Sequence, residues 1–469
     1  MTFEPGRSTP TQPDASSRAQ PGAPTPAQPG PPTRSDHSVP LTERRYVVPL
    51  VLITTLFFLW ALGVNLNDIL IPHLKSTFGL TDFQSSFIQI AFFGGYFLAA
   101  FPAGWLMERL GYKKGILVGL LLCATGALLF LPAASSHLYG FFLFSLFVMA
   151  CGQSFLEVAA NPYVTTLGPP QSAERRLNLT QSFNAVGAVI TPILGAAFIL
   201  TATEYTADQL ARLSPAELQS YLAAQVDTVR VPYLVIAGIF LAVAVLIYFT
   251  HLPEVHEPAD PGEAGDAPLG WSKVLSHGHL LRGVLAQFLY VGAQVGVASF
   301  VIRFAQHAEP GITAKDAANY LKLHILGFMI GRFAGSGMMK RISPPNLLAL
   351  FAGGSLICAA VSVATSGLVA VFAIVLIGFF HSIMFPTIFA LSIKNLGRLT
   401  KRGSSLLVMS IIGGAICPAI MGRISDLSNI QYAFFVPLLC YAYVLYFAVA
   451  GHRPAPDRLR PTLLEGASK

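Results

Sequence analysis

Asn65 and Asp68 lie three residues apart in LWALGVNLNDILI (59–71), within an apolar stretch long enough to cross a bilayer and with no basic residue close by in sequence. That spacing puts both on one helix face. An ionised carboxylate at membrane depth costs roughly 2.5 kcal/mol or more, so Asp68 reads as a functional group. The plainer alternative is a carboxylate near the water interface that caps the helix end. Three more apolar stretches carry polar residues at helical spacing: Gln153, Glu157 and Asn161; Asn178, Gln181 and Asn184; Gln287, Tyr290 and Gln294. Lipid offers these groups no partner, so the four faces should turn inward. A single amide stripe is ordinary interhelical glue, about 0.6 kcal/mol per bond. Four stripes, two with a carboxylate, predict a polar cavity. Amides both donate and accept, which suits a polyhydroxylated ligand such as a sugar. Trp60, Tyr96, Tyr290 and Phe385 offer aromatic faces for its C–H groups. Carboxyls at Asp68 and Glu157 can load and unload a proton as the cavity opens to either side. This fits proton coupling better than a sodium site, the remaining alternative.

The elements that must position these residues are long apolar helices. The 469-residue chain is 53% hydrophobic and 11% charged, with mean hydropathy +0.59. Soluble domains carry about 25% charge, so this is a polytopic membrane protein. Twelve apolar runs of bilayer length follow one another between 46 and 450. The expected fold is all-α, with twelve transmembrane helices in two pseudo-symmetric six-helix bundles, 44–252 and 278–450, joined by a cytoplasmic linker at 253–277. Residues 1–43 are rich in Pro, Gly, Ser and Thr, lack the apolar core of a signal peptide, and read as a disordered tail. Residues 451–469 read as a second cytoplasmic tail.

The net charge of +7 belongs to basic loops on one side rather than to a nucleic-acid surface. Arg109, Lys113, Arg175, Arg176, Lys340, Arg341, Lys401 and Arg402 share that side if the spans alternate, so both termini are expected in the cytoplasm. The 203–229 segment then faces outward, with a short helix at Ser214–Ala223. The five cysteines sit inside apolar runs without metal-ligand spacing and read as packing residues. No metal cluster, nucleophile motif or phosphate loop marks an enzyme, and neither tail has the makings of a folded signalling domain. A multidrug exporter would want a large apolar cavity, against which the amide stripes argue.

The halves look duplicated. Ala103-Gly104-x-x-Met107-x-Arg109 lines up with Ala334-Gly335-x-x-Met338-x-Lys340, and Gly187 and Pro192 with Gly413 and Pro418. In such architectures the substrate sits between the halves near the midplane. The loop from Gly104 to Lys114, with Glu108, Arg109, Gly111 and Lys113, reads as a tight cytoplasmic turn that latches neighbouring helices. It resembles the signature loop of the major facilitator superfamily, with Glu108 at the usual Asp position.

A narrower resemblance rests on FFLWALGVNLNDILIPHL (57–74), FLEVAANPYVTTLGP (155–169), RLNLTQSFNAVGA (176–188), AQFLYVGAQ (286–294), PTIFALSIKNLG (386–397) and GSSLLVMSIIGG (403–414). These runs are similar to the bacterial fucose:proton symporter family, which includes permeases for L-fucose, for glucose and galactose, and for N-acetylglucosamine. The resemblance implies that Asp68 carries the proton and that Glu157 links sugar recognition to coupling. It further implies that Asn65, Gln181 and Asn184 contact sugar. Departures from fucose-transporting members are Phe385 in place of a Tyr, the loss of a cavity Trp near Val297–Ala298, and Lys322, His324 and His381; the two histidines are candidate relays. Arg303 and Arg332 read as interface or structural residues rather than sugar ligands.

The expectation is a proton-coupled monosaccharide importer of the bacterial inner membrane, an L-fucose:proton symporter in the first instance. Its alternatives are a glucose/galactose or N-acetylglucosamine permease, proton- or sodium-coupled, and, remotely, a membrane sugar receptor. Its substrate site would draw on Trp60, Asn65, Glu157, Gln181, Asn184, Gln287, Tyr290, Gln294 and Phe385. It would be a monomer in the lipid bilayer, with sugar and proton as its partners, no nucleic acid, no cofactor and no metal.

Overall fold

The computed structural model describes residues 39–77, 82–136, 138–198, 230–253 and 270–454, with isolated positions between 213 and 221. Most of the proline-rich tail, the linker core (254–269) and the tail from 455 lie outside the described residues, as does most of the expected 214–223 helix. So do the side chains of 66–77 and 192–198, Asp68 among them.

Among the described residues, nine stretches are long and apolar enough to cross a membrane. One of them, Phe87–Ser136, runs to 50 residues and supplies two crossings. The chain reverses at Gly111, whose φ of 81° and ψ of 171° only glycine adopts without strain. Gly115 consequently lies against the side chain of Met107. Two further helices, Ala173–Phe198 and Ala314–Met338, are more polar and complete the expected twelve. The helices are α1 (Val47–Thr77), α2 (82–110), α3 (112–136), α4 (Tyr139–Thr166), α5 (Ala173–Phe198), α6 (Arg230–Phe249), α7 (Gly278–Ala308), α8 (Ala314–Met338), α9 (Pro344–Ala364), α10 (Gly367–Ile393), α11 (Gly397–Leu427) and α12 (Ile430–Gly451). Asp68 lies well inside α1, not at its end.

The core runs through both halves, because helices in lipid associate by close packing rather than by a hydrophobic force. Gly126 and Gly152 are notches of this kind. A Cβ on Gly126 would sit 2.5 Å from the Met149 amide, and one on Gly152 2.5 Å from the Cys123 amide, which presses α3 onto α4. Cys123 is fully buried there, as a packing residue. Between the halves, α2 packs on α11 and α5 on α8, two symmetry-related pairings of the duplicated bundle.

Two expected boundaries move. Residues from 39, assigned with the tail, are held in place: Thr42 donates to the Leu167 carbonyl at 2.6 Å, and Ser172 to the Pro40 carbonyl at 3.1 Å. The linker ends in a short helix of its own, Trp271–Leu275.

Arg176, with no exposed surface, organises the first of these contacts. Its guanidinium donates to the carbonyls of Val164 at 2.7 Å and Leu41 at 2.8 Å, and also to that of Thr165. Val164 and Thr165 belong to the last turn of α4, whose carbonyls lack the usual N–H four residues on, and Val164 also accepts from the capping Leu167 N–H at 3.2 Å. Arg176→Met should therefore cost about 3 kcal/mol, because it removes several bonds from one buried charged donor. Arg176→Lys should recover little of it, lacking the fork. Thermal unfolding in detergent reads this out; a Met variant that melts with the wild type would overturn it.

Candidate functional site

Glu157 is 5% exposed, inside α4. Asn161, one turn on, donates from Nδ2 to Glu157 Oε1 at 3.3 Å. Gln181 of α5 donates from Nε2 to Asn161 Oδ1 at 2.8 Å. Arg332 of α8, in the other half, donates from Nη1 to Gln181 Oε1 at 3.1 Å and to the Gln181 carbonyl at 2.6 Å. The links run in one sense, each amide accepting at oxygen and donating at nitrogen, from the guanidinium to the carboxyl. Such chains polarise one another in a low dielectric. A carboxyl that gains or loses a proton is thus wired to a cation in the opposite bundle.

Pro386 explains how Arg332 is seated. It has no N–H to give the carbonyl four residues earlier, and that carbonyl belongs to Ser382. The helix breaks there, between Gly367–His381 and Met384–Ile393. Arg332 Nε occupies the freed Ser382 oxygen at 3.0 Å, and the guanidinium lies 4.5 Å from the Phe328 ring centroid. Arg332 is 4% exposed and joins the two halves as an interface residue.

Other expected site residues line the same interior. Trp60 donates to the Tyr96 hydroxyl at 3.2 Å, and that hydroxyl donates to Gln153 at 3.4 Å, fixing the indole plane. Asn65 donates within α1 to the Ala61 carbonyl at 2.7 Å, whereas Asn184 donates to the Phe57 carbonyl at 3.2 Å and so pins α5 to α1. Phe385 and Tyr290 approach with centroids 6.4 Å apart, and Tyr290 stands beside Arg332. Gln287 is fully buried, and neither atom of its amide has a partner among the described residues. Such a group costs about 1–3 kcal/mol unless something polar meets it. Gln294 is only half-buried. His324 and His381 pack edge to face at 5.1 Å, with His381 Nδ1 3.3 Å from the Tyr441 hydroxyl.

One end of the molecule is shut by α11 against the loop at Gly111. Glu108 accepts two bonds from Arg402, the second at 2.9 Å, in a bidentate pair between the halves. Lys401 Nζ lies 5.0 Å from the Tyr112 ring centroid. Gly104 is pressed against Ser405, and a Cβ there would also lie 3.1 Å from the Lys401 carbonyl. Two further cross-half links sit nearby, Lys394 to Glu174 at 3.0 Å and Asn178 to Thr387 at 3.0 Å. Lys113 caps α6, donating to the carbonyls of Tyr248 and Thr250, both at 2.9 Å. Arg109 lies exposed with its guanidinium 4.2 Å from the Trp105 ring centroid.

In this structure the stripe on α5 bonds to protein groups. Asn178 and Gln181 bond across to the opposite half, and Asn184 bonds within its own. Sequence reasoning missed Arg402, Thr387 and Lys394 as cross-half partners. No local signal marks these three; the one local signal, Pro386, frees the Ser382 carbonyl for Arg332.

Residues 53–411 match the sequence pattern of the Major Facilitator Superfamily. The chain is 44% identical over 409 residues to the L-fucose-proton symporter of Escherichia coli (strain K12), covering 87% of this chain and 93% of the relative. It is 41% identical over 419 residues to the glucose/galactose transporter of Brucella abortus biovar 1 (strain 9-941), covering 89% and 97%. In three dimensions it matches a crystal structure of the Major Facilitator Superfamily transporter FucP in the outward conformation, with a TM-score of 0.81, 44% identity, and coverage of 86% of this chain and 99% of that one.

Proposed function

Because the chain belongs to the Major Facilitator Superfamily, a superfamily of transporters and not of enzymes, we propose that it imports L-fucose together with protons by alternating access. The observation that carries this reading is the hydrogen-bond chain from Glu157 through Asn161 and Gln181 to Arg332, which joins a protonatable group in one half to a cation in the other. A sugar between the halves would complete the Gln287 amide and lie against Phe385 and Trp60. The 44%-identical relative, named as an L-fucose-proton symporter, supports the choice of sugar and ion. A second reading, a glucose or galactose permease, has the 41%-identical Brucella relative and the phenylalanine at 385 in its favour.

In the proposed cycle the closed end at Glu108–Arg402 faces the cytoplasm, as do both termini, and the protein sits as a monomer in the bacterial inner membrane. Asp68 takes up a proton from outside, sugar binds between the halves, the halves rock, and both are released inside. Sugar drives this only through its differential binding to the two states. No cofactor enters the cycle.

The test is external pH in a lightly buffered, de-energised vesicle suspension after addition of sugar. L-fucose should turn the medium alkaline as protons enter with it, and D-glucose, D-galactose and N-acetylglucosamine should not. Alkalinisation with another sugar alone would keep the mechanism and move the substrate. Labelled sugar uptake without any pH change would remove proton coupling and leave a sodium symporter or a uniporter.

A further inference from the structure

Trp271 opens the short helix that ends the linker, yet its ring lies against both halves of the closed end. It stacks on Phe101 of α2 with centroids 5.0 Å apart and planes 18° from parallel. The Arg402 guanidinium, on α11, stands 5.2 Å from the same ring. Arg402 is the partner of Glu108, and their side chains are only 10% and 23% exposed. A guanidinium within about 6 Å of an indole face is attracted by its quadrupole, more strongly once water is excluded. Arg402 has long rotamer freedom to lose when it forms a bidentate pair, and a ring that limits its excursions lowers that cost. We propose that Trp271 is a positioning residue of the transport cycle, a linker side chain that holds Arg402 in register with Glu108 and so favours closure of this end. The linker is then more than a tether, because its last turn forms part of the latch.

This inference rests on the alternating-access reading for its meaning, but its test requires neither sugar nor a membrane. A cysteine introduced by Ser405→Cys reports separation of the halves, since Ser405 has no exposed surface and is packed against Gly104. Its modification by N-ethylmaleimide in the purified full-length protein is followed by mass spectrometry of the peptide containing position 405, which separates it from the native cysteines. Trp271→Ala should raise the modification rate about tenfold, towards the upper range for a cation held on an aromatic face. Trp271→Phe, which keeps a ring, should stay within about threefold of the parent. Phe101→Ala should reproduce the rise by removing the ring that aligns Trp271, and it carries the test if Trp271→Ala does not yield folded protein.

The decisive arm is the combination with Glu108→Gln. That change weakens the pair Trp271 serves, so adding Trp271→Ala should change the rate no further. An unchanged rate in both ring-removing variants, or a second full tenfold rise in the Glu108→Gln background, would overturn the proposal. A null result here would leave the vesicle experiment, and with it the transport reading, untouched.

Discussion

Asp68→Asn is expected to preserve sugar exchange across the membrane while abolishing accumulation against a gradient. Exchange uses only the loaded limb of the cycle, in which one sugar replaces another and the carrier need not return empty. Accumulation needs a proton bound on one side and released on the other. An amide has the shape of the carboxylic acid but no proton to release at any physiological pH. One proton crossing 100 mV supplies about 2.3 kcal/mol, roughly a 50-fold concentration ratio. The Asn variant should bring the steady-state ratio of labelled sugar inside and outside to one, whatever the applied potential or pH gradient. Accumulation that matches the wild type would remove Asp68 from the role of carrier. The position of Asp68 well inside α1, which runs on to Thr77, already tells against the reading in which it caps a helix end.

Arg332→Met has the second large expected effect. Arg332 contributes two bonds to Gln181 in the opposite half and one to the Ser382 carbonyl. Bonds from a charged donor are worth about 1.5 kcal/mol each at the lower end, so losing the pair across the halves removes about 3 kcal/mol from the arrangement seen here, in which the Glu108–Arg402 end is closed. That is roughly a 100-fold shift of the equilibrium towards opening it. If the outward-facing form binds external sugar, its depletion weakens apparent affinity by as much as its population falls. Initial uptake rates against external sugar concentration should show the half-saturation point raised by up to about 100-fold. Arg332→Lys keeps the charge but cannot fork, and should recover only part of the loss. A Met variant with an unaltered half-saturation point would mean that Arg332 does not hold the two halves in this arrangement.

The twelve helices were legible because membrane spans announce themselves by length and composition, and even α5 and α8, more polar than the others, stood out as apolar runs. The inward turn of the Gln153, Glu157 and Asn161 stripe was equally legible, since lipid excludes its residues from every other face. What could not be read was which inward groups meet sugar and which meet protein. Gln181 has the composition of a sugar contact and the position of an interface residue, and only the packing of α8 on α5 shows the bond to Arg332. Glu108 and Arg402 are 294 positions apart, and nothing local selects Arg402 over the adjacent Arg109 as its partner. Arg332 was read as an interface or structural residue by type alone. The physical cause of its seat, the carbonyl freed by Pro386, was present in the sequence but had no partner until α8 and α10 were placed together.

Gly104 has a consequence for how this protein can be caught in the act. Its missing side chain is felt only while α11 lies against α2, for once the helices part a methyl group at 104 would stand in open space. The position is therefore a doorstop fitting, a place where the smallest addition to the chain obstructs one state of the cycle and spares the other. A carrier jammed in this way would stay in its opposite pose without any ligand or antibody to hold it, and its thermodynamic bias would come from steric bulk alone.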